Sequence, residues 1–396
     1  MPHVLRHRFQ FCPPPLRHVP QIRSVCGDPL FIIVSMKSAR RRWIPALLLF
    51  GISFAELLLF PRIPSFFFPW YRDLSKRWMA AAAWLFSAVP YSVWDIGALC
   101  LVLLFILSLI RTVRRKHGVL RLMQNSLLVV SVLLFSAVQG WLGNHYAPKL
   151  SEYLSLDVRK YSEDELYAAA EYYLQEASKD ALLIPRDDAG HALPQDFFQT
   201  AKAAGSSYLP LSETYPVFEG SSAPVKCFSL IGEYLLYNGI IGMFMPVTGE
   251  SSVPRNVPVI PLPFTMCHEA AHRLGIASEQ EANFCAFLAC INQDSLYFRY
   301  SGYYSAFGYC WASLSAENPE RAQELAAQYA DDPSFAMVFR DRSDTRAAYA
   351  KYDSPLQDVS DNINDTYLKT FSHESGIRSY GEVTDYLIAW VLQPSR

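Results

Sequence analysis

Residues 263–284 read PFTMCHEAAHRLGIASEQEANF, and the spacing of their polar side chains organises the second half of the chain. His268 and His272 stand four apart. On a helix, positions i and i+4 share one face, so two imidazoles can grip a single ion. Glu269 projects beside them, where a carboxylate can act as general base towards metal-activated water. Thr265 is the expected N-cap of this helix and Gly275 its stop. If a second helix starts near Ser278 and folds back antiparallel, the symmetry point falls between Gly275 and Ile276. His272 then faces Glu279, and His268 faces Asn283. Glu279 becomes the third metal ligand and Asn283 the group that orients the His268 ring. Glu281 is the competing ligand. It points about 200° away from Glu279 around the helix axis, and it completes a capping box with Ser278. A third ligand six residues after His272 would be Ser278, a poor donor to zinc. The donor set of His268, His272 and Glu279 makes Zn²⁺ the expected cofactor.

The other nearby chemistry reads as packing. Cys267, Cys285 and Cys290 are expected as small buried apolar groups. Cys227 and Cys310 could pair as a disulfide, which sequence alone leaves open.

Working outward, Ser162-Glu-Asp-Glu165 is a capping box that opens a helix to about Ala181, with Leu166, Ala169, Ala170, Tyr173 and Leu174 on one face. A shorter helix is expected from Asp196 to Ala204. Residues 209–225 read as loop, 238–247 as a glycine-broken strand, 248–256 as loop and 257–262 as a short strand. Downstream of the metal residues the pattern is helical almost throughout, over about 279–292, 295–313, 317–330, 333–351, 355–371 and 379–392.

The first half has a different composition. Hydrophobic residues make up 51% of the chain and charged residues only 18%, which excludes disorder. A net charge of −2 supplies no basic footprint, so no nucleic acid is expected as a partner. The apolar surplus concentrates before residue 145. Three runs, at about 43–60, 94–110 and 122–142, approach or exceed the length needed to cross a ~30 Å hydrocarbon core. Lys37, Arg40, Arg41 and Arg42 precede the first run. Arg111, Arg114, Arg115, Lys116 and Arg121 lie between the second and third. Basic clusters stay in the cytoplasm. The expected protein is therefore a multi-pass protein of the cell membrane with a cytoplasmic N-terminus. Residues 61–93 and everything after 143 then lie outside. The lipid bilayer is an expected partner. Trp43, Trp94 and Trp141 stand at the span ends, as an aromatic belt requires. Residues 78–89 suit an interfacial or re-entrant helix, and Glu56 snorkels to the outer interface. Residues 1–35 read as a non-native or disordered extension, with MKSARRRW from Met36 as the start of the membrane domain.

HEAAH followed by Glu279-Gln-Glu-Ala-Asn283 resembles the gluzincin zinc metallopeptidases, in which HExxH is followed by a Glu-x-x-Ala-Asp/Asn segment. Two features depart from most relatives: the gap from His272 to Glu279 is short, and Asn283 replaces the commoner Asp. PFTMCHEAAHRLG, EANFCAFLAC, the strand and turn at Gly239–Glu250, Tyr367-Leu-Lys and Ser379-Tyr380-Gly381 resemble an uncharacterised bacterial three-span membrane family, a domain of unknown function. The resemblance implies that a Tyr or His donor stabilises the developing oxyanion. The candidates are Tyr303, Tyr304, Tyr309, His373 and Tyr380, with Arg378 as a further contact. Tyr380 is preferred because it sits in the Gly376–Gly381 loop before the last helix.

The expected fold is mainly α. It comprises a membrane domain of three transmembrane helices over 36–144 and a zincin-like, mostly helical α+β domain with a small sheet over 145–396. The expected activity is hydrolysis of peptide bonds in a protein or peptide outside the cytoplasmic membrane, with the peptide aligned along a strand at 239–247 or 257–262. The alternatives are a non-catalytic, metal-stabilised module that binds envelope protein partners and a zinc amidase acting on cell-wall peptides.

Overall fold

A computed structural model describes residues 29–115, 118–358, 360–362, 366 and 383–393. The chain divides into two compact units, Met1–Ile44 and Pro45–Arg396. In the first unit the described backbone, from Pro29 on, is helical; the expectation for residues 1–35 lies mostly outside the described residues. All further description concerns the second unit.

Apolar composition dominates its first helices. Helix α1 (Pro29–Leu59) carries the short apolar stretch Trp43–Leu59, and α2 (Pro64–Phe86) follows. Next come α3 (Val93–Arg115) and α4 (Val119–Gly140). Two helical segments, Val93–Arg114 and Val119–Gly140, are long and apolar enough to cross a membrane. Their apolar side chains largely face outward rather than into a core. Leu101 to Leu107 in α3 are 42–62% exposed. The first expected run is shorter than these two. Residues 78–89 are not a separate segment: α2 runs from Pro64 with Phe68, Tyr71, Ser75, Met79 and Ala83 buried along one face. Glu56 accepts a hydrogen bond from the Gln139 amide of α4.

Beyond Gly140 a single 3₁₀ turn (Leu142–Tyr146) and α5 (Leu150–Leu154) lead to α6 (Glu163–Ala181). Both bonds of the Ser162–Glu165 capping box form, and the expected apolar face of α6 is buried. Helix α7 (Phe197–Ser206) is capped by the Asp196 side chain. The segment expected as loop after it, 209–225, contains α8 (Leu209–Thr214) and leads directly into β1 (Lys226–Cys227). After α9 (Gly232–Tyr237), strands β2 (Met243–Met245) and β3 (Glu250–Val253) complete a sheet of order β1-β3-β2. β3 lies parallel to β1 and antiparallel to β2. The helices α10 (Leu262–Arg273), α11 (Glu279–Ile291), α12 (Leu296–Glu317), α13 (Pro319–Gln328), α14 (Pro333–Ala350) and a last described helix, Val383–Leu392, form most of the remainder. The protein is thus mostly helical with one small sheet.

Two strand readings are corrected. Residues 257–261 form a bend and a turn rather than a strand, and Leu262 already opens α10. Pro258 and Pro261 remove backbone donors and fix φ, so the segment cannot join a ladder. Residues 250–253, expected within a loop, are the central strand. Its side chains Glu250, Ser251 and Ser252 are polar yet buried, so neither face shows the apolar alternation that marks a strand.

These buried polar groups have partners that join the two halves. Glu250 accepts the Val93 and Trp94 backbone N–H groups at 3.0 and 2.9 Å, which caps the start of α3. The same carboxylate pairs with Lys226 at 2.5 Å, with both side chains almost fully buried. Asp95 accepts the N–H groups of Ser229 and Leu230. On the other helix of the pair, Tyr71 donates to the Val138 carbonyl at 2.6 Å. The start of α3 is therefore fastened to the sheet domain through buried hydrogen bonds, and α4 is tied to α2.

A buried ion pair that loses one member leaves an uncompensated charge. Glu250→Gln is expected to lower unfolding stability in detergent by about 3–5 kcal/mol. The double change Glu250→Gln with Lys226→Met should recover much of that loss. Equal stability of the single variant and the parent in a thermal melt would contradict this role.

Candidate metal centre

α10 and α11 pack as an antiparallel hairpin, and its turn is closed by backbone chemistry. Gly275 lies in the left-handed region at φ +90°, where a side chain is disfavoured. Its N–H donates to the His272 carbonyl at 2.9 Å, and the Ile276 N–H donates to Ala271 at 3.3 Å. That pair of bonds is a Schellman stop. Ser278 then caps α11 by accepting the Glu281 N–H. The other end of α10 differs from expectation. Its N-cap position is Pro261, and Thr265 lies within the helix, its hydroxyl donating to the Pro261 carbonyl at 3.0 Å.

This hairpin brings His268, His272 and Glu279 together, with one donor atom from each within 4.8 Å of the others. The two Nε2 atoms face each other at 3.0 Å. His268 Nε2 lies 3.2 Å from Glu279 Oε2, and His272 Nε2 lies 3.6 Å from Glu279 Oε1. A tetrahedral zinc site with ligands at about 2.0–2.1 Å spaces them about 3.3–3.4 Å apart. Two imidazoles and a carboxylate at these separations fit zinc in chemistry and in size. Nδ1 of His272 donates to the Ile276 carbonyl at 2.7 Å, which leaves the Nε2 lone pair for a metal. Burial opposes charge on His268, but the Glu279 carboxylate outweighs it and raises the imidazole above its usual range, with smaller contributions from Glu269 and Asn283; neither His268 Nδ1 nor the Asn283 amide nitrogen has a well-formed bond of its own.

Burial and charge divide the protonation states. Burial pushes His272 down to about 4. For Glu279, burial raises the pKa, but the neighbouring His272, His268 and His145 outweigh it and hold the carboxyl at about 2. An ionised carboxylate and a neutral imidazole are the forms that bind metal. Burial raises Glu269 to about 8. Its Oε2 is buried without a hydrogen-bond partner, an arrangement that costs free energy unless a ligand or substrate meets it.

Glu281 does not join the cluster. Its carboxylate accepts the Leu150 N–H and the Tyr386 hydroxyl, both at 2.8 Å. The capping box with Ser278 is therefore half formed: the Ser278 hydroxyl accepts the Glu281 N–H, and the Glu281 carboxylate serves α5 and the last helix. Cys267, Cys285 and Cys290 are fully buried, and Cys227 and Cys310 are both free thiols. Tyr380, His373 and Arg378 lie outside the described residues. Tyr304 donates to Thr345, and Tyr303 sits among Tyr172, Glu176 and Arg299. Among these described tyrosines, Tyr309 is the one with Glu279 as its charged neighbour.

Two contributors were missed. Gly242, just before β2, packs directly on Glu269, and a Cβ there would lie 2.3 Å from Oε1. A glycine within a strand pattern often marks such a close approach. The second contributor is the end of α4, where Trp141 meets the His272 ring edge-on at 5.5 Å. Two cavities lie elsewhere. One of about 490 Å³ runs along the outside of the hairpin turn between α2 and α5.

Comparison with known families covers most of this structure. A family model matches residues 70–388. The chain belongs to the family described as Protein of unknown function (DUF3810). The DUF3810 match takes in most of α2, both long apolar helices, the sheet and the α10–α11 hairpin. No curated protein and no solved structure matches the chain.

Glu279→Ala is expected to abolish stoichiometric zinc in the purified full chain, as is His268→Ala. Glu281→Ala should keep zinc and lose stability instead, because it unties Leu150 and Tyr386. Metal analysis beside a thermal melt separates the two outcomes, and zinc retained without Glu279 would overturn the ligand assignment.

Proposed function

We propose that this protein is a membrane-anchored zinc metallopeptidase that cuts peptide bonds outside the cytoplasmic membrane. The observation that carries the reading is the convergence of His268, His272 and Glu279 on one point, with the carboxylate of Glu269 buried beside them and one oxygen unpaired. Three protein donors leave a coordination position open, as catalytic zinc sites do, whereas a purely structural site closes with four. Side chains of the cluster keep some exposure, 13% for His268 and 21% for Glu279, so solvent and substrate have a way in. Zinc held there would lower the pKa of water to about 7 and polarise a carbonyl.

The chain's own groups perform the rest. With a divalent cation beside it to offset the burial that raises its pKa, the Glu269 carboxyl would be ionised and would take a proton from a water molecule whose oxygen attacks the carbonyl carbon. The same carboxyl passes that proton to the amine nitrogen while the C–N bond breaks, leaving a carboxylate and an amine. Ile276 holds the His272 ring in register. Gly242 leaves room for Glu269. Tyr309, which feels the Glu279 carboxylate, is the candidate among Tyr303, Tyr304 and Tyr309 to stabilise an oxyanion. β2 is an edge strand, since the sheet order is β1-β3-β2, and Gly242 ties its start to Glu269. An extended peptide added antiparallel to β2 would run past the metal residues.

The anchor comprises the two long apolar helices, with residues 43–60 as a third span. Arg111 and Arg114 lie at the end of α3 away from the metal residues, and Arg121 lies at the corresponding start of α4. By the positive-inside preference those ends are cytoplasmic, and the metal residues are outside.

Glu269→Gln should retain zinc and lose peptide cleavage by about 10²-fold or more in a peptide-library digest. Zinc-loaded wild type that cleaves no better than Glu269→Gln would refute the peptidase reading. Gly242→Ala should also retain zinc while losing activity, because its methyl group displaces the Glu269 carboxylate. Full activity in that variant would show that the contact has no catalytic bearing.

A further inference from the structure

The metal residues sit where the apolar helices end. α4 stops at Gly140, and the next residue, Trp141, touches both the His272 ring and Phe244 of β2. Asn144, three residues on, packs against Gly275 at the hairpin turn. The start of α3 is capped by Glu250 of β3, whose neighbour Ser251 donates to the Glu269 carbonyl at 2.6 Å. Both apolar helices therefore terminate on elements that touch Glu269 or His272.

The surface beside those ends is apolar and aromatic. On α2, which links the end of α1 to the start of α3, Phe66, Trp70, Trp84 and Leu85 point outward, Trp84 at 77% exposure. Leu230, bonded to Asp95 of α3, is 56% exposed, and Tyr234 of α9 is 59% exposed. Ile241, also exposed, directly precedes Gly242. A soluble surface rarely shows such a band. Leu230 is bonded to Asp95 at the start of α3, whose apolar side chains are themselves exposed, so the occupant that fits this surface is the bilayer interface, where Trp and Tyr are favoured.

We infer that the Phe66–Leu85 and Leu230–Ile241 surfaces lie in the outer lipid interface and hold the metal centre at the bilayer surface, so that its substrates are membrane-anchored polypeptides cut within a few residues of their anchor. This rests on the peptidase reading for the substrate, though not for the lipid contact.

The test uses the full chain in phosphatidylethanolamine–phosphatidylglycerol vesicles. A nitroxide is placed at Tyr234→Cys after Cys12→Ser, Cys26→Ser and Cys100→Ser; the five remaining cysteines are buried. Collision with lipid-soluble oxygen should exceed collision with a water-soluble nickel complex. The reverse ranking overturns the inference whatever the enzyme cuts. A second arm offers one peptide on a single-span anchor with a tether of about five residues, which reaches about 17 Å at most, or about twenty. The short tether should be cut at least as fast as the long one, and about tenfold or more faster than the free peptide. Leu230→Asp with Tyr234→Asp should erase that preference and leave free-peptide cleavage unchanged. Cleavage of only the long tether places the centre away from the lipid and overturns the inference. A lipid-exposed label with no cleavage of any peptide defeats the peptidase reading, and the substrate class with it, while the lipid contact stands.

Discussion

The backbone turn at Leu274–Ala277 is the constraint on which the candidate centre depends. Gly275 adopts a left-handed conformation that ends α10 at once. The Ile276 N–H then closes the helix, and the Ile276 carbonyl accepts from the His272 ring. One residue thus terminates the helix and selects the imidazole tautomer. Because the turn is short, α11 must start at Glu279, the first residue after its cap. Chain reversal, the orientation of the His272 ring and the choice of Glu279 as the carboxylate that joins the two imidazoles follow from a single tight turn.

Around that turn the protein invests in buried polar contacts. Lys226 and Glu250 are paired in the interior, Asp95 receives two backbone donors, and Ser251 reaches the backbone of Glu269. Each would cost free energy if left unmet, so each fixes a geometry more strictly than apolar packing would. Together they lock the start of α3, the central strand and α10 into one frame. That frame carries the apolar helices up to the metal residues.

Much of the centre was legible because local rules governed it. The i, i+4 pair, the glycine stop and the Ser278 cap are all written within seventeen residues, His268 to Phe284, and the antiparallel register that pairs His272 with Glu279 follows from them. The α6 helix was legible for the same reason, through its capping box. What escaped was long-range or polar. Nothing local says that Gly242 will press on Glu269, or that Trp141 will reach His272. The central strand escaped because its residues are buried polar groups rather than alternating apolar ones. The segment 257–262 misled in the opposite direction, since its Val and Ile suggested a strand while Pro258 and Pro261 forbade one. Glu281 kept its structural role but spends its carboxylate on Leu150 and Tyr386 instead of on its own helix end.

X-ray absorption at the zinc edge, on the full chain purified in detergent, addresses the ligand set without reference to any substrate. The account predicts a first shell of light atoms only, containing two imidazoles and a carboxylate, with room for one solvent oxygen. A sulfur contribution, a single imidazole, or a chain that takes up no zinc would contradict it.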